Sequence, residues 1–181
     1  RQTGSPPTDV ELLARARALR LGRMTTAELW ASLGVAGDPE ELDAAYLAQH
    51  QLSPGVIRYL RSLREQGVKL ACITDDATTW NTRLRVSHSL VTLVEMWVVS
   101  GSVGAAKPDR SLYEVLQRFA QEPPAQILVI DDDLKMLDAA RAMGYATAWF
   151  TSTGTRAEAG DHQVIRSFEG SDDDLVDSDR I

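Results

Sequence analysis

The hydrophobic positions change rhythm near Gly67. Before it, apolar residues recur three and four apart, the spacing of one helix face. Leu12, Leu13, Ala16 and Leu19 form one such set, and Leu29, Trp30 and Leu33 a second. Leu42, Ala45 and Tyr46 form a third, and Ile57, Leu60 and Leu63 a fourth. Each set has a start signal. Asp9 reads as the cap of the first, and Thr25 with Glu28 makes a capping-box pattern before the second. Asp38-Pro39-Glu40-Glu41 puts proline at the first helical position of the third. Ser53-Pro54 opens the fourth, and Gly67 ends it.

After Gly67, short apolar runs at 68–74, 95–100, 127–131 and 145–150 read as strands. Helical stretches separate them: 77–86, a helix capped by Asp109 with Leu112, Val115, Leu116 and Phe119, and 134–143 closed by Gly144. Strands alternating with helices predict a parallel sheet with helices on its faces, an α/β fold. The boundaries expected are a helical cap over 8–52, a core over 53–155 and an acidic tail over 156–181. Residues 1–7 read as loose, and 171–181, with five Asp, as solvated.

Composition narrows the function. A chain of 181 residues fits one domain, or a core with a small insertion. The formal charge of −7 argues against a general nucleic-acid or acidic-membrane surface. The single cysteine, Cys72, rules out an internal disulfide framework and fits a reducing cytoplasm. No apolar run has membrane-spanning length and no signal-peptide pattern appears. The chain begins with Arg1 rather than Met, which leads us to expect a segment upstream.

Three strand ends carry candidate chemistry. Ile73-Thr74-Asp75 offers a hydroxyl able to hydrogen-bond an oxyanion, although a threonine there also serves as a helix cap. The run 100–109 has Gly101 and Gly104 in a loop leading to Lys107-Pro108-Asp109. A lysine so held can offset phosphoryl and carboxylate charge, although Lys-Pro-Asp also serves as a helix start. Asp131 and Asp132 follow Ile127-Leu128-Val129-Ile130 at a strand's carboxyl end, where open α/β sheets bind ligands. Adjacent carboxylates repel unless a cation, a proton or donors offset them. Mg²⁺ is the simplest cation for the pair; the alternative has one Asp capping the next helix and the other facing solvent. Hydroxyl, lysine and acid pair in that order describe a phosphate site.

These segments resemble the haloacid dehalogenase-like hydrolases. The resemblance rests on Cys72-Ile73-Thr74-Asp75, on Val98-Val99-Ser100-Gly101-x-x-Gly104-x-x-Lys107-Pro108-Asp109, and on Val129-Ile130-Asp131-Asp132 with Ala139-Ala140-Arg141-x-x-Gly144. It covers about residues 10–150. It implies a Rossmann-like core with a small helical cap and, for most members, Mg²⁺-dependent phosphatase activity. By that resemblance Thr74 binds the phosphoryl group, with Asp75 beside it in the substrate site, Lys107 stabilises reacting charge, and Asp131 and Asp132 hold Mg²⁺. The family's nucleophile, the first Asp of an Asp-x-Asp motif on a central N-terminal strand, has no match here, and we expect it upstream of Arg1. Asp75 stands in place of the usual Asn, Met136 where many relatives carry Asn, and Arg110 where Pro is common.

Two functions follow. One is a phosphatase of a small phosphorylated metabolite working through an aspartyl-phosphate; dehalogenation of 2-haloacids is a lesser variant of it. The other is a non-catalytic binding or interaction module, its sheet completed by a strand from a partner or a second copy. The chain as given is expected to show little or no turnover. His50, His88 and His162 read as surface or capping groups, and Trp80 as a core residue or a pocket wall. Arg15, Arg17, Arg20 and Arg23 read as a solvated face.

Overall fold

A computed structural model describes residues 8–169. The expected tail at 171–181 and the loose start at 1–7 lie outside the described residues. The elements run α1 (Asp9–Arg20), α2 (Thr26–Ser32), α3 (Pro39–Leu47), α4 (Val56–Glu65), β1 (Ala71–Thr74), α5 (Thr78–Ser87), β2 (Met96–Val99), α6 (Ser100–Val103), α7 (Arg110–Ala120), β3 (Leu128–Asp131), α8 (Leu134–Ala142), β4 (Ala146–Phe150) and β5 (Gln163–Ile165). This is the α/β pattern expected, with each of the four predicted strands present and trimmed by one to three residues at its start.

The helix starts follow local chemistry. Thr25 and Glu28 form the predicted capping box, and Asp38 caps α3 with Pro39 inside its first turn. For α1 the cap is Thr8 rather than Asp9: its hydroxyl accepts from the Glu11 N–H while Glu11 reaches back to the Thr8 N–H. The α4 helix begins later than Ser53-Pro54 suggests, because Gly55 at φ 79° occupies its cap position.

The chain packs as two compact units. One holds the described residues up to Gln51, with Cys72–Val91 and Trp97–Leu112. Its core groups Leu19, Leu29, Ala77 and Trp80. At its centre lies Asp43, only 2% exposed. Asp43 accepts from Trp30 Nε1 at 2.8 Å, Trp80 Nε1 at 2.7 Å and Thr26 Oγ1 at 2.9 Å, which offsets the cost of burying a carboxylate. Trp80 is therefore a core residue.

The other unit holds Leu52–Ala71, Thr92–Met96 and the described residues from Tyr113 onward. Its sheet runs β3-β4-β5, all parallel, with Ile130 opposite Ala148 and Asp131 opposite Trp149. Alternation along the strands divides the core between two faces. Ala148, Ile165, Leu128, Ile130 and Phe150 pack with Tyr59, Val56 and Leu63 of α4. Trp149, Val129 and Val164 pack with Leu137 and Leu134 of α8 and with Ala159. The β5 strand is a correction to the sequence reading, which gives no strand after 150. Its run Gln163-Val164-Ile165 is too short and too plain to stand out, and it forms because β4 offers a parallel edge.

Candidate active site

The first strand end, β1, delivers Thr74 and Asp75, both half-buried. Asp75 Oδ1 accepts from the backbone N–H of Lys107 at 2.8 Å. Two of the predicted residues are thus joined directly, and the link runs through the lysine's backbone, leaving its ammonium out of that bond. The peptide between Lys107 and Pro108 is cis. The Ser100 hydroxyl donates to Arg20 O at 2.6 Å and accepts from Asp76 N at 2.9 Å. Ser100 is wholly buried and fastens the glycine loop. Within that loop Ser100–Val103 is one helical turn ended by Gly104 at φ 79°. Gly101 is needed because a Cβ there would lie 2.9 Å from Asp76 O. The Asp109 carboxylate accepts from Ser111 N at 2.9 Å, capping α7 as predicted.

Asp76 was not singled out by sequence. Burial raises its carboxyl above the ordinary value, partly countered by hydrogen bonds from Ala77 N and Asn81 and by the charge of His50.

At the second centre, Asp131 and Asp132 stand at the carboxyl end of β3. Neither caps α8. That role belongs to Asp133, whose Oδ1 accepts from Lys135 N at 2.8 Å. Asp131 Oδ1 accepts from Asp133 N at 2.9 Å, which curls the acidic turn on itself. The Asp132 carbonyl accepts from Trp149 Nε1 at 2.9 Å. Asp131 and Asp132 open on a pocket of about 370 Å³ lined also by Ser53, Ile130, Phe150 and Phe168. Phe150 and Phe168 stack there with centroids 4.5 Å apart and planes within 5°.

The pair supplies only hard oxygen donors. Among the described residues, no group of three or more His, Cys, Asp or Glu is arranged to hold a metal. Two carboxylates without a cage suit Mg²⁺, which keeps several waters and takes one or two protein carboxylates.

The histidines divide. His50 lies exposed against Tyr46, with ring centroids 4.9 Å apart. His162, read from sequence as a surface or capping group, is 3% exposed. Its Nδ1 lies 2.7 Å from Thr147 Oγ1 and its Nε2 3.2 Å from Asp138 Oδ1. Sequence distance hid this contact, because Thr147 lies on β4 and Asp138 on α8. Among the described residues, no helix is long and apolar enough to cross a membrane.

A phosphoglycolate phosphatase of Nitrosospira multiformis is 34% identical over 92 residues, covering 50% of this chain and 40% of that protein. The match therefore spans less than half the length of that curated relative. A haloacid dehalogenase-family phosphatase from Thermococcus onnurineus superposes with a TM-score of 0.68 at 19% identity, over 86% of this chain and 74% of that one. A family enzyme of Bacteroides thetaiotaomicron gives a TM-score of 0.68 at 16% identity, over 81% and 77% of the two chains. The same enzyme in complex with magnesium and inorganic phosphate gives 0.65 at 16%, over 78% and 76%. These structural likenesses show the Rossmann-like fold. The profile of the haloacid dehalogenase-like hydrolases matches residues 8–144, which spans both the helical start and all three motif segments, and the chain belongs to that family.

Proposed function

We propose that this chain serves a Mg²⁺-dependent phosphatase acting on a small phosphorylated metabolite. The observation that carries the reading is the acidic turn after β3. Asp133 takes the capping role, and Asp131 and Asp132 line the pocket. The phosphatase names of the relatives support it, as does the magnesium and phosphate bound by the Bacteroides enzyme.

In this reading Thr74 donates its hydroxyl to a phosphoryl oxygen. Lys107 offsets the charge of that group, and Asp75 holds the lysine's backbone in place. Asp131 and Asp132 would hold Mg²⁺ directly or through water, and the ion would supply positive charge to offset that of the phosphoryl oxygens. In the whole protein an aspartate attacks phosphorus in line, the ester P–O bond breaks, and the leaving oxygen takes a proton. Water then cleaves the aspartyl-phosphate to phosphate and free carboxylate. The domain roles carried with this reading are a helical cap over 8–52 that excludes water and a core over 53–155. The cytoplasm is the compartment proposed.

The test is hydrolysis of p-nitrophenyl phosphate by the whole protein, with and without Mg²⁺. Activity should require the metal and fall about a hundredfold or more in Asp131→Asn and in Lys107→Ala. Metal-independent turnover, indifferent to Asp131, overturns the reading. Release of halide from a 2-haloacid in place of phosphate favours the dehalogenase variant. Phosphate binding with no turnover in the whole protein favours the binding module.

A further inference from the structure

Trp149 holds the turn that carries the acid pair through a backbone carbonyl. Its indole N–H donates to the Asp132 carbonyl at 2.9 Å. Its Cα stands opposite Asp131 in the β3–β4 register. The ring is 9% exposed and packs with Leu137 of α8 and Ala159. Its far edge closes on Gly154, where a Cβ would come within 2.0 Å of Trp149 Cη2. Gly154 is in turn fixed by its N–H to Thr151 Oγ1 at 2.9 Å and by Arg166 Nη1 to its carbonyl at 2.8 Å.

The acidic turn is thereby pinned at three successive residues. Asp131 is held by the Asp133 N–H, Asp132 by the Trp149 indole, and Asp133 by the first turn of α8. Two of these bonds are local, formed within the turn and its helix. The indole bond reaches instead to a side chain of the neighbouring strand β4, beside the backbone pairing of Asp131 with Trp149. A metal needs its carboxylates held against mutual repulsion before it binds, and groups behind the ligands do that work.

We propose that Trp149 is a positioning residue: through the Asp132 carbonyl it sets the geometry in which Asp131 and Asp132 meet Mg²⁺. This rests on the metal reading of the pair. The indole cannot ligate the ion, so its effect acts on affinity through the turn.

The experiment is a Mg²⁺ titration of the full chain followed by ¹H–¹⁵N NMR. The four tryptophans give four indole N–H signals, assigned through bonds without recourse to any variant. The Trp149 indole signal should move with the Asp131 and Asp132 amides at one midpoint, and its hydrogen exchange should slow several-fold at saturation. Trp149→Phe keeps most of the ring and removes the donor. It should weaken Mg²⁺ binding about tenfold. Amides of the pair that respond to Mg²⁺, with an indole exchange rate that does not change, overturn the positioning role and leave the metal reading intact. A Kd for Trp149→Phe within twofold of the unaltered chain does the same. No response to Mg²⁺ at Asp131 and Asp132 overturns the metal reading, and the positioning role with it.

Discussion

Asp75 accepts the backbone N–H of Lys107 at 2.8 Å, so a residue after the motif threonine fixes the loop that carries the motif lysine. An asparagine oxygen could accept the same bond. Only the carboxylate adds charge, and a hydrogen bond to a charged group contributes about 2 kcal/mol. Asp75→Ala should therefore lower stability by about 2 kcal/mol in urea denaturation, and should weaken inorganic phosphate binding further because Lys107 loses its anchor. Asp75→Asn should cost less than about 1 kcal/mol. Phosphate binding at least as tight in Asp75→Asn would show that the bond, not the charge, is what the site requires. Equal losses in the two variants would contradict that account.

Asp43 carries a comparable load away from the candidate site. Two indole N–H groups and a threonine hydroxyl converge on its carboxylate, and Arg83 Nη1 lies 3.9 Å from it. Asp43→Ala strands those donors and should cost about 3 kcal/mol or more. Asp43→Asn keeps one acceptor and should cost about 1 kcal/mol. Thermal denaturation followed by tryptophan fluorescence reads both, since Trp30 and Trp80 report on that core directly. A melting temperature unchanged in Asp43→Ala would mean that water replaces the carboxylate.

Asp43 also marks where sequence reading stops. Its helix, its cap and its neighbours Leu42 and Tyr46 were legible from spacing and from Asp38-Pro39. Its burial was not, because the groups that satisfy it come from α2 and α5, far along the chain. His162 was hidden in the same way by Thr147 and Asp138. The strand ends were legible because continuous apolar runs followed by acids, or by a hydroxyl, need no partner to be seen. Asp131 and Asp132 stood at an open choice between cap and metal site. Asp133 settles the capping half of that choice, since a third acid one residue later is better placed to meet the first N–H groups of α8.

Asp76 should make stability depend on pH. Burial raises its carboxyl above the ordinary 3.8 in the folded chain. As pH rises past 3.8 the unfolded chain releases its proton first, so the residue's contribution falls through the window up to the raised folded value, and the penalty persists above it. Asp76→Asn removes the titration. It also places an amide beside Asn81, whose Oδ1 is buried without a hydrogen-bond partner. The variant should be more stable at pH 7 by about 1 kcal/mol, with a smaller difference in melting temperature between pH 4 and pH 7. A variant less stable than the parent at pH 7 contradicts this.

Gly55 links a helix start to the acid pocket. It sits at φ 79°, where a Cβ would lie 2.3 Å from Phe168 O and 2.6 Å from its carbonyl carbon. Phe168 stacks on Phe150 and on Tyr59 and lines the pocket beside Asp131. Gly67 has a similar φ of 82° but nothing within 4 Å of where its Cβ would stand. The two positions therefore separate backbone strain from collision. Gly67→Ala should cost about 1 kcal/mol, the left-handed strain alone. Gly55→Ala adds a clash with backbone that has no flexible end to yield, and should cost at least about 2 kcal/mol. It should also shift the ring signals of Phe168 and Phe150 in NMR, whereas Gly67→Ala should leave them in place. Equal costs, with both rings unmoved, would mean that the 166–169 segment gives way without disturbing the pocket.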